Sequence, residues 1–352
     1  MVLSDVHLAE AGYDEPIAYA IDTCLRNALA ERAIFKLVLA GDVLDPELIE
    51  SASEPRSEPG AVLAVRRILE KHPKFVQSLS NILKYGGNIR FLPGNHDAQL
   101  AFPAVRNVIA QALEKHVNRG NVAILDWLHC DGDLLVEHGH LYDPICSVDR
   151  MDALGSELES TIGTVLTRKL AKAPGINASA VDPIAEAREK GLLHTIDGLS
   201  ITSAMSALRD ALCVHQTHDS ESRMWLTQVA HSNGLHVEAL KKHRLLTARK
   251  ASIDQILPDA WNYGKSITDA QVLAAHQISK IHNPKAKIIV MGHTHNPISY
   301  QVGPQSFFLN SGCWPQREKV KAVLGSFVLI TQNLGRTVDA RIIRLLENGQ
   351  FM

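Results

Sequence analysis

The sequence lacks several features that would assign the chain to a specialised class of protein. No apolar run reaches the roughly 18 residues needed to span a membrane, and no secretory signal is evident. The five cysteines are scattered and form no Cys-x-x-Cys pair, which argues against a disulfide framework. The net charge of −2 provides no overall basic field for nucleic acid. We therefore expect a cytoplasmic protein without a transmembrane segment, and nucleic acid is not favoured as a partner.

What the sequence does contain is the composition of a globular protein. A chain of 352 residues with 45% hydrophobic and 21% charged residues can bury a large core in one or two domains. Residues 15–33 have the periodicity of an amphipathic helix, and the β-rich run 35–40 follows. A strand–helix–strand order predicts a parallel sheet. Further along, the pattern predicts a mobile surface loop at 51–60 and one long helix at 61–85.

Polar side chains follow the ends of five predicted strands. In chain order the motifs are Asp5-x-His7, Gly41-Asp42-x-x-Asp45, Gly94-Asn95-His96-Asp97, His138-Gly139-His140 and Gly292-His293-x-His295. Ligands of α/β proteins bind at the carboxyl ends of the strands. Any one motif alone is compatible with an ordinary turn or a buried histidine. Because five strand ends carry such groups, the sequence predicts a shared site.

In this order the five motifs resemble the signature of the calcineurin-like metallophosphoesterase superfamily. The resemblance covers residues 1–140 and about 286–315. It implies an α/β fold of four layers, in which two packed mixed β-sheets are flanked by helices. It also implies a metal-dependent hydrolase of phosphate esters, either phosphomonoesters or phosphodiesters. In such enzymes a hydroxide that bridges two metal ions attacks phosphorus.

The resemblance further implies a role for individual residues. The implied assignment is, for the first ion, Asp5, His7 and His295; for both ions, Asp42; and for the second ion, Asn95, His138 and His293. His96 would be the catalytic histidine, with Asp97 orienting its ring. Nitrogen and oxygen ligands without a thiolate favour two divalent ions, with Mn²⁺ expected first and Fe²⁺ or Zn²⁺ as alternatives. A carboxylate between two ions can hold them about 3.5–4 Å apart, which suits in-line displacement at phosphorus.

A long helical pattern separates the fourth motif from the fifth. It predicts a helical insertion at 145–283, which we interpret as a possible cap over the site. The metallophosphoesterase core would then consist of a first part at 1–144 and a second part at 284–352. The eight histidines of this pattern show no ligand spacing, so we interpret them as ordinary core or surface residues.

Narrower groups within the superfamily bear on the substrate. The bacterial UDP-2,3-diacylglucosamine hydrolases share the Ser-Asp-x-His-Leu opening but usually carry arginine where His96 stands. Ser/Thr protein phosphatases carry Asp-Arg-Gly where this chain has Asp45-Pro46. The expected substrate is a small phosphorylated molecule. The alternative is a catalytically silent binding or scaffold protein of the same fold. A zinc amidohydrolase would leave Gly41-Asp42-x-x-Asp45 unexplained.

Overall fold

The fold is described by a computed structural model of the chain. It describes residues 1–9, 14–49, 55–113, 120–125, 127–142, 146, 271–272, 275, 279, 283–314 and 323–352. Both β-sheets belong to one compact unit of the chain. The predicted helical insertion at 145–283 lies outside the described residues apart from a few isolated positions, so that division stays a prediction. Among the helices that are described, none is long and apolar enough to cross a membrane.

The first sheet has six strands in the order β11-β10-β1-β2-β3-β4. Their bounds are β1 Val2–Leu3, β2 Lys36–Ala40, β3 Asn88–Leu92, β4 Asn121–Ile124, β10 Val323–Asn333 and β11 Arg336–Leu346. Strands β1 to β4 are parallel, while β10 runs antiparallel to β1 and β11 antiparallel to β10. The carboxyl ends of β1, β2 and β3 therefore meet at one edge of this sheet.

The second sheet has five strands in the order β5-β6-β7-β9-β8. Their bounds are β5 Leu128–Asp131, β6 Leu134–Glu137, β7 Ile288–Met291, β8 Ile298–Gly303 and β9 Ser306–Asn310. Strands β6, β7 and β9 are parallel, with β5 and β8 antiparallel at the two edges. The predicted class is confirmed: this is an α/β fold with two mixed sheets and helices.

The two faces of β2 explain how the layers pack. Leu37 and Leu39 join a core cluster with the helices, whereas Val38 and Ala40 join a second cluster with residues of the other sheet. Successive side chains of a strand point to opposite faces, so a strand buried on both sides must be apolar throughout. The second cluster holds the two sheets together and thus fixes the positions of their strand ends.

Four α-helices are described beside the first sheet. They are α1 Asp14–Ala30, α2 Glu58–Lys71, α3 Pro73–Lys84 and α4 Pro103–Leu113, and each buries residues in the core cluster of that sheet. In α1 the predicted apolar face is buried at Ile17, Ile21 and Leu25, whereas Leu29 is 38% exposed. Short 3₁₀ turns cover Pro46–Leu48, Ala98–Ala101 and His140–Tyr142.

Two local predictions were wrong in detail. The single helix at 61–85 is two helices, because the Pro73 ring starts a new helix and cannot continue α2. The loop predicted at 51–60 already ends at Ser57, whose side chain caps α2 by accepting a hydrogen bond from the Gly60 amide at 3.2 Å. Residues 51–54 lie outside the described residues.

Candidate metal centre

The motif loops are joined to one another through their backbones. The amide of Asp5 donates to the Gly41 carbonyl at 3.0 Å, and the amide of His7 donates to the Asp42 carbonyl at 3.0 Å. Beyond them, Leu8 forms a parallel bridge with Leu44. The loops after β1 and β2 therefore continue the pairing of their strands for a few residues. Polar groups from both loops are held in a fixed relation to each other.

Three of the predicted ligands form a first group, which we call the Asp5 cluster: Asp5, His7 and His295. Their ligand atoms all lie within 4.8 Å of one another. His295 Nε2 is 3.2 Å from Asp5 Oδ1 and 3.1 Å from His7 Nε2. Asp5 and His7 follow the first sheet, whereas His295 follows β7 of the second. The cluster thus depends on the packing of the two sheets.

A second group, which we call the Asp42 cluster, comprises Asp42, His138 and His293. Their ligand atoms also lie within 4.8 Å of one another. His138 Nε2 is 3.1 Å from Asp42 Oδ2, and the rings of His138 and His293 are 5.4 Å apart. The other oxygen, Asp42 Oδ1, accepts a hydrogen bond from the His96 amide at 2.8 Å. This cluster also takes its side chains from both sheets.

The backbone of both clusters is unusual. Five of the predicted ligand residues have positive φ angles: Asp5 (52°), His7 (55°), Asp42 (52°), His293 (72°) and His295 (58°). Among the described residues, only two other non-glycine positions share this conformation. Left-handed backbone costs an ordinary residue on the order of 1–3 kcal/mol, and such strain concentrates at functional sites. The observed strain therefore supports a functional role for these loops.

Gly41 adjoins the Asp42 cluster and has to be small. Its φ is +86°, and a Cβ atom built on it would lie 2.5 Å from His138 Cγ. An alanine would thus meet both a strained backbone and the imidazole ring. The glycine lets the loop after β2 approach the histidine that follows β6.

Further hydrogen bonds orient the ligand side chains and the loops that carry them. His138 Nδ1 is 2.8 Å from the Ala40 carbonyl oxygen, so it donates there and leaves Nε2 toward Asp42. Asp5 accepts a hydrogen bond from the His293 amide at 2.9 Å and another from Ser4 Oγ. Asn310 Nδ2 donates to the Gly292 carbonyl at 2.7 Å. Such outer contacts orient ligands and are part of the design of a metal site.

Asp45 is the residue whose contacts the sequence interpretation missed. Its Oδ1 lies 2.6 Å from His96 Nδ1, and its Oδ2 lies 3.1 Å from His7 Nδ1. The carboxylate is buried, with 1% of the side chain exposed. These three residues also form a group with ligand atoms within 4.8 Å of one another. The signal was present in the second motif, since Asp45 is the last residue of Gly41-Asp42-x-x-Asp45.

Asp97, expected to orient the His96 ring, contacts the backbone instead. Its carboxylate accepts hydrogen bonds from the amides of Gly94 at 2.6 Å, Val43 at 2.8 Å and Asp42 at 3.2 Å. It therefore ties the loop after β3 to the loop after β2. The carboxylate at hydrogen-bond distance from the His96 ring is Asp45, because the β1–β2 loop pairing brings Asp45 beside both rings.

Burial and the charges of neighbouring side chains shift the pKa of each cluster residue in opposite directions. Burial raises the pKa of Asp5, but His138 and His295 outweigh it and lower the pKa to about 2. The same balance, with His138 and His96 as partners, holds the pKa of Asp42 well below its usual range. Burial lowers the pKa of His138, yet Asp42 and Asp5 raise it to about 9. The carboxylates therefore stay ionised and attract positive charge.

The second and third loops add three more groups with shifted pKa values. Burial lowers the pKa of His96, but Asp45 and Asp42 outweigh it and raise the pKa well above its usual value. Burial and the nearby Asp42 raise the pKa of Asp97 to about 6, against the effect of the amides that donate to it. Burial raises the pKa of Asp45, yet His96 and His7 hold it well below its usual range. Perturbed groups of this kind gather at functional sites.

The donor atoms fit divalent metal ions. Both clusters consist of imidazole nitrogens and carboxylate oxygens without a thiolate, a set that suits borderline or hard ions. Asn95 adds an independent observation: its Oδ1 is buried, and the described part of the chain offers it no hydrogen-bond partner. An orphaned buried amide oxygen is costly unless a ligand satisfies it. A metal ion would satisfy it.

Comparison with known proteins places this site in a family. None of the curated proteins matches the chain significantly. The family model for calcineurin-like phosphoesterase matches residues 1–184, just over half of the 352 residues. The match includes the first four motifs, while the Gly292–His295 motif joins them through the packing of β7. Since the matched model covers the loops that carry Asp5, Asp42 and His138, the chain belongs to the calcineurin-like phosphoesterase family.

Proposed function

We propose that the protein is a hydrolase of phosphate esters that works with two divalent metal ions. The observation that carries the proposal is the pair of neighbouring His/Asp clusters in a chain of the calcineurin-like phosphoesterase family. The Asp5 cluster would hold one ion. The Asp42 cluster with Asn95 would hold the other, and Asp42 would bridge both. Mn²⁺ is our first choice, with Fe²⁺ or Zn²⁺ as alternatives.

The ions would supply Lewis acidity toward the phosphoryl oxygens and an activated water as nucleophile. The side chains of the protein make the other contributions. Asp5, Asp42 and Asp45 place fixed negative charge around the site, and all three are buried. Buried charges act more strongly than exposed ones because less water screens them. Their shared role is to keep the cationic groups of the centre in place.

His96 is our candidate for the catalytic histidine. With Nδ1 engaged by Asp45, Nε2 is the nitrogen that can address a substrate oxygen, and 18% of the side chain is exposed. We propose that Nε2 carries a proton and donates it to the leaving-group oxygen or to a phosphoryl oxygen. Nδ1 of His96 donates to Asp45, and the negative charge of this carboxylate stabilises the doubly protonated ring, so that the second proton is available at Nε2. Asp97 contributes by holding the loop of His96 to the loop of Asp42.

Our proposals for the substrate class and the cellular location come from the sequence interpretation. We propose a small phosphorylated substrate, either a phosphomonoester or a phosphodiester, in the cytoplasm. A distant likeness to the bacterial UDP-2,3-diacylglucosamine hydrolases suggests one substrate to include in a screen, although His96 stands where those enzymes usually have arginine. We also propose that the helical insertion at 145–283 acts as a cap that selects the substrate.

Reconstitution with metal tests the proposed activity. The full chain is stripped of metal, supplied with Mn²⁺, and assayed with p-nitrophenyl phosphate and bis(p-nitrophenyl) phosphate. We expect two bound ions per chain and hydrolysis of at least one ester that disappears on chelation. Two bound ions without hydrolysis of either ester or of a nucleotide and metabolite panel would favour the silent binding protein. Hydrolysis that persists without metal would contradict the proposal.

A further inference from the structure

One carboxylate serves two histidines that have different expected roles. Asp45 Oδ2 lies 3.1 Å from Nδ1 of His7, and Asp45 Oδ1 lies 2.6 Å from Nδ1 of His96. The two rings are 4.9 Å apart and nearly perpendicular, at 85°. Each oxygen of Asp45 thus engages one ring. His7 belongs to the Asp5 cluster, whereas His96 belongs to no predicted ion site.

The backbone fixes Asp45 in this position. Its amide donates to the Leu8 carbonyl at 2.8 Å, and the Leu8 amide donates to the Val43 carbonyl at 3.0 Å. Leu8 directly follows His7, so the strand pairing that places His7 also places Asp45. The Asp45 side chain makes no capping hydrogen bond to the 3₁₀ turn that follows it. Its carboxylate is therefore directed to the two rings.

The contact with His7 distinguishes the two clusters. With Nδ1 donating to Asp45, His7 directs Nε2 toward His295 Nε2, 3.1 Å away. In the Asp42 cluster the corresponding outer partner of His138 is the neutral carbonyl of Ala40. A carboxylate behind a ligating histidine fixes its tautomer and raises its basicity more than a neutral acceptor does. Asp45 would therefore strengthen the binding of the ion at the Asp5 cluster, and it would not strengthen the binding of the other ion.

We propose that Asp45 is a positioning residue that selectively strengthens ion binding at the Asp5 cluster through His7. The proposal rests on the proposed function, since it assumes that both clusters hold ions. It predicts a difference between the two sites: removing the charge of Asp45 weakens ion binding at the Asp5 cluster and leaves the other site unchanged. The same carboxylate then links the occupied Asp5 cluster to the histidine that faces the substrate.

The direct test is a Mn²⁺ titration of the metal-free full chain by calorimetry, comparing the native protein with Asp45→Asn. Asparagine keeps the shape but removes the charge and one acceptor. We expect one of two sites to weaken by about 10–100-fold, the usual effect of losing an outer partner of a ligand, while the other is unchanged. Two sites with native affinity in Asp45→Asn would overturn the proposal. A native chain that binds no Mn²⁺ would instead overturn the proposed function and this inference with it.

Two background variants identify the weakened site. In His293→Ala only the Asp5 cluster keeps its full ligand set, and there Asp45→Asn should weaken the remaining Mn²⁺ site by the same factor. In His295→Ala only the Asp42 cluster is complete, and Asp45→Asn should leave the remaining site unchanged. The reverse pattern would overturn the proposal, as would equal weakening in both backgrounds, which would indicate general disruption.

A third background separates the two contacts of Asp45. His96→Ala removes one ring and leaves His7, so Asp45→Asn should still weaken one Mn²⁺ site by the same factor in that background. Loss of the effect would mean that His96, rather than His7, connects Asp45 to the ions, which would overturn the proposal.

A measurement on the native chain avoids the risk that Asp45→Asn does not fold. Histidine side-chain ¹⁵N NMR with Zn²⁺, which is diamagnetic, reports the tautomer of each ring. We expect His7 to carry its proton on Nδ1 and to bind Zn²⁺ through Nε2. A His7 that binds Zn²⁺ through Nδ1 could not donate to Asp45 and would overturn the proposal.

Discussion

The Asp5 and Asp42 clusters use similar side chains but are supported by different groups. Two side chains support the Asp5 cluster: the Asp45 carboxylate contacts His7, and the Ser4 hydroxyl donates to Asp5, which also accepts from the His293 amide. The hydrogen bonds described for the Asp42 cluster come from backbone groups: the Ala40 carbonyl accepts from His138, and the His96 amide donates to Asp42. Side-chain support can be altered by substitution without moving the strand. Backbone support can be altered only through residues that crowd it, so the two clusters should respond to different variants.

Asp42→Asn should have the largest effect because it removes the group shared by the two proposed ion sites. We expect lower Mn²⁺ content at both sites and loss of hydrolysis, since a bridging ligand supplies charge as well as position. Metal analysis and p-nitrophenyl phosphate assays provide the measurement. Asp339→Asn is a matched control, because Asp339 is half exposed on β11. Two bound ions with near-native turnover in Asp42→Asn would contradict the shared role.

His96→Ala should separate catalysis from ion binding. Both Mn²⁺ ions should remain, while the rate falls by about 10²–10⁴-fold, the usual contribution of general acid–base catalysis. The loss should be smaller for p-nitrophenyl esters than for alkyl esters, whose leaving groups need protonation. His129→Ala on β5 serves as the control. If His96→Ala loses an ion, His96 is a ligand, and the third group of His7, Asp45 and His96 is itself a metal site.

Gly41→Ala should weaken the Asp42 cluster and leave the Asp5 cluster intact. The added methyl group meets a positive φ and the His138 ring, so the imidazole has to move. We expect Mn²⁺ affinity to fall by about 10–100-fold at one site, comparable to the loss of a ligand's support. Calorimetry measures it, and Gly303→Ala is the control because its Cβ would find only ordinary contacts, 3.5 Å from Ser306. Unchanged binding would show that the ring tolerates the displacement.

Asn310→Ala should have the smallest effect and should not distinguish the clusters. Asn310 donates to the Gly292 carbonyl and to Thr294 Oγ1, within the loop that carries both His293 and His295. A typical hydrogen bond contributes about 0.5–1.5 kcal/mol, so we expect a weakening of roughly tenfold or less at both sites. Asn348→Ala, in an exposed turn, is the control. A change confined to one site would mean that the loop does not move as a unit.

Much of the fold could be predicted because strand patterns and glycine turns are local. The run 35–40 corresponds to β2, and the five motifs follow β1, β2, β3, β6 and β7 as polar strand ends. The edge strands β5 and β8 were missed because they are short or largely polar and are defined by their pairing partners. The break at Pro73 was missed because apolar periodicity continued across it, although proline itself was a visible signal.

The sequence by itself determined which side chains stand at the strand ends, since motif order and residue type are properties of the chain. Only the tertiary structure decided their partners. Asp45 and Asp97 both belong to the predicted motifs, and the family resemblance assigned the His96 ring to Asp97. The pairing of Leu8 with Leu44 brings Asp45 to the rings, while Asp97 is directed to backbone amides. Contacts between loops depend on strand order and sheet packing, which join residues far apart in the chain.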